Sequence, residues 1–471
     1  MKELQLMLKT RTCYNHLMIK LKSTNSFIYA ISIIAISVSL KNNYEGGDIN
    51  LARLSYLGNS PIDLWGGFSG FFYGNIPNAF LAWGSWLIVF QAICTTAGLI
   101  FISRYLQLDN RLQQFTFITL SYFVISFSVL LNRDSTMTSL YIFGFGSILI
   151  SYRVETLTSK ALFVVGTLAI IFSIAFRPWL FFATLIPFLI IRKYNIRIIP
   201  LLMVLACLPI GFEKLTYTIT EYKEVHPEIQ VFIADLSTMT CLSNDNKVRE
   251  QGNLILNRIS QTNYEVKEIC ADFRLSNWGS VGSWALSQSE LNDINLKEEE
   301  QAYSKITISS NLSNTSYRKI REDWARFILN NPKTYLEAKS IQINQVLISG
   351  DTFGLRISST NNFKDQITGL FFLFYDLSIS LHLLSPIFTL FFGTCVLVIL
   401  FSRLPIYLIL RDRNVITAYS CIAAWTILTT VAYIGDNGRY TYLSTFIFYF
   451  LIFKSYKEIN RNHVSSKSLS S

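Results

Sequence analysis

The chain has 471 residues, of which 51% are hydrophobic and only 15% are charged. Soluble domains usually carry about 25% charged residues, so this composition excludes an ordinary soluble protein and indicates a membrane protein. The aromatic content of 14% suits a lipid-facing surface with interfacial belts. The net charge of +10 does not indicate nucleic-acid binding, because no recognition motif accompanies it and the basic residues cluster at the ends of apolar runs.

The apolar runs, taken in chain order, predict the spans. The N-terminal stretch MKELQLMLKTRTCYNHLMIKLKS is long and basic, and the following run lacks a small-residue cleavage site, so it predicts a retained first span. By run length we predict an all-α polytopic membrane protein with about ten transmembrane helices. These spans are 24–41, 78–102, 113–131, 136–151, 160–176, 178–191, 197–213, 383–402, 414–433 and 440–454.

Basic residues mark every second connection between these spans. They precede the first span, follow the tenth, and include Arg104, Arg153, Arg192 and Arg403 in the alternate connections. Short loops rich in Lys and Arg face the cytoplasm, so both termini are expected inside. The connections 42–77, 132–135, the turn at Arg177-Pro178, 214–382 and 434–439 are then external.

The fourth of these external connections, 214–382, is long enough to be a domain. Its composition turns polar and charged, so we expect a mostly helical external domain between spans seven and eight. It separates region 1–213, with spans one to seven, from region 383–471, with spans eight to ten and a cytoplasmic tail. Within it, SYRKIREDWARFILNNPKTYLEAKSIQINQVLI predicts a helical hairpin broken at Asn331-Pro332. The stretch GLFFLFYDLSISLHLL fits either an interfacial helix or part of the eighth span.

Two cysteines, Cys241 and Cys270, are the only ones in this external domain. An oxidising compartment permits a disulfide between them, and two free thiols are the alternative. A bridge requires α-carbons roughly 4.4–6.8 Å apart.

The external connections also collect charges of both signs near the ends of spans. Charges beside a bilayer are costly unless they are paired, hydrated or used. Interfacial ion pairs and snorkelling side chains explain any one of them, whereas a site built from several loops explains the set. The candidate residues are Asp48, Asp63, Arg133, Asp134, Arg177, Asp436, Arg439 and Tyr440.

Acids and arginines at an outer membrane surface suit glycosyl transfer from a lipid-linked donor. A carboxylate can act as general base on a sugar hydroxyl. Arginine forks bind phosphate by paired charge-assisted hydrogen bonds and stabilise the negative charge that develops on a leaving phosphate. Nearby aromatic residues would either stack on sugar or isoprenoid or simply pack at the interface; they are Trp65, Phe71, Phe72, Tyr73, Trp278 and Trp284.

Four motifs resemble those of the GT-C-type membrane glycosyltransferases, which use polyprenyl-phosphate-linked sugars. They are Asp48 in GGDINLARLS, Asp134 in NRDSTM, Arg439-Tyr440 in GDNGRYTYL, and the hairpin REDWARFILNNPKTYLEAK, which resembles a stretch in bacterial members. The resemblance implies an inverting transferase of the bacterial inner membrane that elongates a glycan or a lipid-linked acceptor for a cell-envelope polysaccharide.

The resemblance also implies roles for individual residues. Asp48 would be the base and Asp134 would orient a sugar. The positive charges of Arg133, Arg177 and Arg439 would hold the lipid phosphate, beside Asp436 and Tyr440. The first loop lacks a paired Asp-Asp or Asp-x-Asp motif, so a divalent metal is not supported, no cofactor is assigned, and Asp63 is an alternative base.

Three other functional classes remain open. A polymerase of O-antigen or capsular polysaccharide would also join lipid-linked sugars, although it concentrates its polar residues in one late loop. A lipid-linked sugar transporter or flippase should show repeated halves and interrupted spans, which the sequence lacks. A non-catalytic membrane scaffold is the third.

Overall fold

The structure is a computed structural model of the whole chain, and helices account for nearly all of the residues that it describes. The helical fold class predicted from the sequence is therefore confirmed at this level. The described residues are 24–40, 72, 83–130, 133–154, 157–176, 207, 211, 215, 218, 229–260, 265–271, 283–285, 307–309, 314–348, 369–374, 377, 383, 385–432 and 441–469.

The helices fall into three groups along the chain. The first group comprises α1 (Thr24–Leu40), α2 (Trp83–Leu106), α3 (Arg111–Ser128), α4 (Arg133–Ser151) and α5 (Leu157–Phe176). The second comprises α6 (Ile229–Leu242), α7 (Asn246–Ser260), α8 (Val266–Ala271), α9 (Asn314–Asn330) and α10 (Pro332–Ile348). The third comprises α11 (369–374), α12 (Pro386–Phe401), α13 (Ile406–Arg411), α14 (Arg413–Ala432) and α15 (Thr441–Leu469).

Two of the described helices are long and apolar enough to cross a membrane, at Trp86–Leu106 and Leu157–Phe176. Three shorter apolar helices are Thr24–Leu40, Val231–Leu242 and Pro386–Phe401. Eight of the ten sequence-predicted spans coincide with a described helix, although their boundaries shift. The predicted spans 178–191 and 197–213 lie almost wholly outside the described residues.

Helices α2, α4 and α5 pack backbone against backbone through glycines. A β-carbon at Gly146 would lie 2.5 Å from the carbonyl oxygen of Gly98, and one at Gly144 would lie 2.6 Å from that of Gly166. Small residues at helix interfaces allow this close approach, which van der Waals contacts then stabilise. The contacts between Gly98 and Gly146 and between Gly144 and Gly166 place α4 between α2 and α5.

Helix α15 lies at the centre of the helical bundle formed by the first and third groups. Every residue from Leu443 to Phe453 is buried, and α15 contacts α2, α3, α12 and α14. A helix that is apolar on all sides is one that is surrounded by other helices. Phe450 illustrates this, because its ring packs edge-on against Phe145 of α4 at 4.9 Å between centroids and stacks on Tyr105 of α2.

The second group forms a compact helical unit with its own hydrophobic core, which includes Ile233, Leu236, Leu256 and Phe327. The hairpin predicted around Asn331-Pro332 is confirmed, since α9 ends at Asn330 and α10 begins at Pro332. Helix α10 also contacts α12 and α14, so the helical unit adjoins the bundle.

A disulfide links Cys241 of α6 to Cys270 of α8, with α-carbons 5.3 Å apart. The predicted bridge is confirmed, and the alternative of two free thiols is wrong. It anchors α8, which has only six residues, to the unit.

A short two-stranded parallel ladder accompanies the helices in the region that was predicted to be mostly helical. Strand β1 (Ser283–Ala285) pairs with β2 (Thr307–Ser309), with Trp284 opposite Ile308. Strand β2 contacts α7, so the ladder belongs to the helical unit.

The apolar stretch before the eighth span also has a defined place. Phe372 of α11 is fully buried, and the hydroxyl of Tyr122 in α3 donates to the Phe371 carbonyl. Helix α12 begins separately, because the Ser385 side chain accepts from the Phe388 amide and Pro386 occupies the first helical position. The stretch is therefore distinct from the eighth span.

Candidate functional site

The sequence-predicted site is represented in the described residues by Arg133 and Asp134. For Arg133 the structure describes the helical backbone and not the side chain. The other candidates lie outside the described residues, so their convergence on one site stays a prediction; they are Asp48, Asp63, Arg177, Asp436, Arg439 and Tyr440.

Asp134 lies in the first turn of α4 rather than in a connection before it. The predicted span began at residue 136, whereas α4 begins at Arg133. A carboxylate is stabilised in the first turn of a helix because it faces the unpaired amides and the positive end of the helix dipole. The side chain of Asp134 is 1% exposed, so it is buried within the bundle.

The side-chain amide of Gln91, a residue of α2, holds the N-terminal end of α4 in place. Gln91 is fully buried, and in the orientation that satisfies both ends its nitrogen donates to the Ser128 carbonyl at 2.8 Å. Its oxygen then accepts from the Thr136 amide at 3.2 Å and from the Thr136 hydroxyl at 2.5 Å. The Ser135 hydroxyl donates to the Leu130 carbonyl. Gln91 therefore joins the end of α3 to the beginning of α4 and holds the turn that carries Asp134.

The same end of the bundle includes an aromatic residue of the connection 42–77, which the sequence predicts to be external. Phe72 packs edge-on against Phe176, the last residue of α5, at 5.1 Å between ring centroids. Helices α4 and α5 are antiparallel neighbours in contact at Gly144 and Gly166, so Asp134 and Phe176 lie at the same end. Phe72 packs in the bundle core, which favours the packing interpretation of this aromatic side chain.

Residues of four basic connections meet at the opposite end. Lys457 of α15 donates to the Leu106 and Gln107 carbonyls at 2.6 and 3.1 Å. Arg153, which follows α4, lies over the Tyr105 ring at 5.0 Å. Lys454 donates to Asn414, at the start of α14, at 3.1 Å. The connections predicted to share the cytoplasmic side are therefore close in space.

The helical unit contains a buried ion pair that sequence reasoning missed. Asp235 of α6 is 2% exposed, and its Oδ1 lies 2.6 Å from Nζ of Lys339 in α10. The Trp324 indole donates to the other carboxylate oxygen at 3.3 Å, and its ring stacks on Phe232 at 4.5 Å. A lone acid inside the apolar run IQVFIADLSTMTCL was the available signal, because a buried carboxylate needs a partner.

Burial decides the protonation behaviour of this cluster. Burial raises the pKa of Asp235 above its usual value, and the Lys339 ammonium and the Trp324 indole oppose the rise without cancelling it. The pKa of Tyr335 rises to about 12, mainly through burial and secondarily through the nearby Asp235 carboxylate. The cluster joins α6 to both helices of the hairpin, and both oxygens of the Asp235 carboxylate are engaged by Lys339 and Trp324, which suits a structural role.

Metal binding has no candidate within the described residues, where no group of three or more His, Cys, Asp or Glu side chains could hold an ion. The acids of the first external connection are not among these residues. The described part of the site contributes the carboxylate of Asp134, which is shielded from solvent in the first turn of α4.

Comparison of the chain with protein families, with characterised proteins and with solved structures finds no match.

Proposed function

We propose that this protein is a membrane glycosyltransferase that transfers a sugar from a polyprenyl-phosphate donor to a glycan or lipid-linked acceptor. It has ten transmembrane helices in a bacterial inner membrane, with both termini in the cytoplasm. The reaction takes place at the outer face, and residues 214–382 form an external domain above it.

The distribution of side chains in the bundle supports a membrane location. Large apolar residues cover the outer faces of its helices; examples are Trp86, 65% exposed, and Phe391, 69% exposed. Hydroxyl side chains such as Thr95, Ser126 and Ser147 are buried inside. Contiguous exposed apolar surface on this scale marks contact with another apolar phase, and polar groups facing the interior of a bundle are the arrangement expected in lipid.

The two ends of the bundle support the orientation. The end that carries Lys457, Arg153 and Lys454 suits the cytoplasmic side by the positive-inside rule. The Cys241–Cys270 disulfide belongs to the predicted external domain, and disulfides persist in oxidising compartments such as the periplasm.

The observation that carries the enzymatic proposal is the buried Asp134 carboxylate at the outer end of the bundle. Gln91 fixes the turn on which it lies, so the carboxylate is pre-positioned. A carboxylate shielded from water and held on rigid elements is suited to orient a sugar hydroxyl. Its motif, NRDSTM, is one of those that resemble the GT-C-type enzymes.

In the proposed reaction, Asp48 accepts the proton of the acceptor hydroxyl as its oxygen attacks the anomeric carbon of the donor. The bond between that carbon and the phosphate oxygen breaks, and the electron pair leaves with polyprenyl phosphate. Attack opposite the leaving group inverts the anomeric configuration. Asp134 orients a sugar, and Arg133, Arg177 and Arg439 neutralise the charge that develops on the phosphate.

The test is transfer by the full chain in proteoliposomes supplied with a panel of polyprenyl-phosphate sugars and with acceptor glycans. Release of polyprenyl phosphate together with a lengthened acceptor is expected. Asp48→Asn should abolish transfer, and Asp134→Asn should reduce it about 100-fold if a positioned carboxylate is lost. Glu337→Gln, an exposed acid of the hairpin, is the matched control and should retain full activity.

Other outcomes would identify the alternatives. Movement of the donor across the bilayer without transfer would indicate a flippase. Extension only by whole lipid-linked repeat units would indicate a polymerase. Near-normal transfer by a folded Asp134→Asn variant would reject the role assigned to this carboxylate, and the same result for Asp48→Asn would move the base to Asp63.

A further inference from the structure

Positive charge is concentrated around the last turn of α2, at the end of the bundle opposite Asp134. Helix α2 ends at Leu106, and Gln107 follows with a φ of 48°, a left-handed conformation that terminates the helix. The carbonyl oxygens left free there carry partial negative charge. Lys457 donates to the Leu106 and Gln107 carbonyls and to the Gln107 side-chain oxygen, the last at 2.7 Å.

Two arginines complete this cluster, which we call the cationic cap: Arg153, Lys457 and Arg461. Arg461 shares the Gln107 side-chain oxygen with Lys457, at 3.2 Å. Arg153 lies over the Tyr105 ring and is exposed, as is Arg461. In the part of the chain that the structure describes, no carboxylate forms a salt bridge with any member of the cap, and Glu458 instead pairs with Lys454 at 3.2 Å.

The three cations of the cap repel one another, and the nearby Asp109 carboxylate offsets part of this repulsion at Lys457. The pKa of Lys457 falls to about 8, chiefly through burial and further through Arg461 and Arg153, while Asp109 opposes the fall. Hydrogen bonds to neutral oxygens satisfy the lysine as a donor without cancelling its charge. Arg153 and Arg461 are exposed beside this lysine and form no salt bridge within the described residues, so the cap suits an anion with several acceptor oxygens.

The surroundings of the cap favour an anion that belongs to the membrane. Helix α13, between the basic residues Arg403 and Arg413, exposes Ile406, Tyr407 and Leu410. Short helices that expose apolar residues next to arginines lie in the plane of a membrane interface. Helix α13 contacts α14, whose Asn414 bonds Lys454, so it lies at the same end of the bundle as the cap.

We propose that the cationic cap binds the phosphate of an anionic phospholipid in the inner leaflet and so anchors the cytoplasmic ends of α2, α4 and α15. This assignment rests on the membrane orientation given under the proposed function and is independent of sugar transfer. A phosphate diester offers the two arginines unpaired oxygens, while its acyl chains lie along the apolar outer surface of the bundle.

The test is lipid binding by the full chain in nanodiscs, measured by titration with fluorescent phosphatidylglycerol in a phosphatidylcholine background. The double variant Arg153→Gln/Arg461→Gln should bind phosphatidylglycerol about 30-fold more weakly, because each basic residue near a membrane surface contributes roughly a fivefold gain. Arg318→Gln/Arg326→Gln removes the same charge from exposed positions of α9 and should bind as the wild type does.

Competition with inorganic phosphate and glycerophosphate, added at millimolar concentration, distinguishes a lipid headgroup from a soluble phosphate ligand. Neither should displace the lipid, and competition at that concentration would overturn the lipid assignment in favour of a soluble phosphate ligand. Equal affinity in the cap variant and the wild type, or an equal loss in the α9 control, would overturn the site itself. Arg153→Lys/Arg461→Lys keeps the charge and should restore most of the affinity, which separates binding from any defect in folding.

The lipid measurement contains no sugar donor, so its outcome is separate from that of the transfer assay. Lipid binding without transfer would reject the proposed enzyme and retain the cap. Transfer without cap-dependent lipid binding would retain the proposed enzyme and reject the cap as a lipid-binding site.

Discussion

The helical bundle and the helical unit α6–α10 are built from similar secondary structure and are stabilised by opposite arrangements of polarity. The bundle exposes apolar side chains and buries hydroxyls and a glutamine. The helical unit buries Leu236, Leu256 and Phe327 and, apart from the Asp235–Lys339 pair, exposes charged residues such as Arg326 and Glu322. This difference is what the proposed membrane location of the bundle predicts.

Their contacts differ accordingly. The bundle has close backbone packing at Gly98, Gly144, Gly146 and Gly166. In the proposed membrane location such contacts matter most, because burial of apolar surface gives little advantage in lipid. In water, the helical unit gains from burying apolar surface, and a disulfide and an ion pair add links between helices that are far apart in the chain.

The largest expected effect comes from adding bulk to the glycine contact of the bundle. Gly146→Leu should cost about 5 kcal/mol or more, since a β-carbon there meets the Gly98 backbone and backbone cannot move as a side chain can. Size-exclusion chromatography in detergent should show loss of the monodisperse peak. Ala161→Leu, at an exposed position of α5, should leave the peak intact. A normal peak for Gly146→Leu would mean that the helices are not held by this contact.

A second prediction concerns the buried ion pair of the helical unit. Asp235→Leu and Lys339→Met should each destabilise the unit by about 3–5 kcal/mol, because each leaves a buried charge without its partner. The double variant should be closer to the wild type, since no buried charge remains. Hydrogen exchange of the α6 amides in the full chain measures these differences. Additive losses in the double variant would contradict the pairing.

The smallest of the three effects is expected from the disulfide. Replacing Cys241 and Cys270 with serine should cost about 3 kcal/mol, because a link across 29 residues restricts the unfolded chain. Dithiothreitol should produce the same loss in the wild type and none in the serine variant, as measured by hydrogen exchange of α6 and α8. Insensitivity of the wild type to reduction would show that the bridge does not stabilise the unit.

The elements that were predicted well depend on local features. Pro332 cannot continue α9 and favours the first turn of a new helix, so the residues around Asn331-Pro332 were enough to predict the hairpin. The boundaries were less certain: α4 begins at Arg133 rather than 136, and α15 continues to Leu469 instead of stopping at 454. In both cases polar residues were assigned to connections, although the helix continues through them.

The environment of the candidate site was harder to predict from the sequence than the helices were. Asp134 was identified by its motif, but the turn that carries it is held by Gln91, which is 43 residues earlier in the chain. The ion pair between Asp235 and Lys339 joins residues 104 positions apart. Lys339 closes the hairpin motif, but nothing in that motif points to Asp235 as its partner. A lone acid in an apolar run indicates that a partner exists without indicating which residue it is.

The sequence by itself determined the positions of most helices and the division into apolar and polar regions, and it identified Cys241 and Cys270 as the one pair of candidates for a bridge between spans seven and eight. These follow from hydrophobic run length, charge and elimination, which are properties of neighbouring residues or of composition. Only the tertiary structure decided that Asp134 is buried, that Lys339 neutralises Asp235, and that Arg153, Lys457 and Arg461 form one cap. The physical reason is that burial and charge pairing are set by whichever distant helices become neighbours, and several sequence-compatible helix arrangements would give different partners.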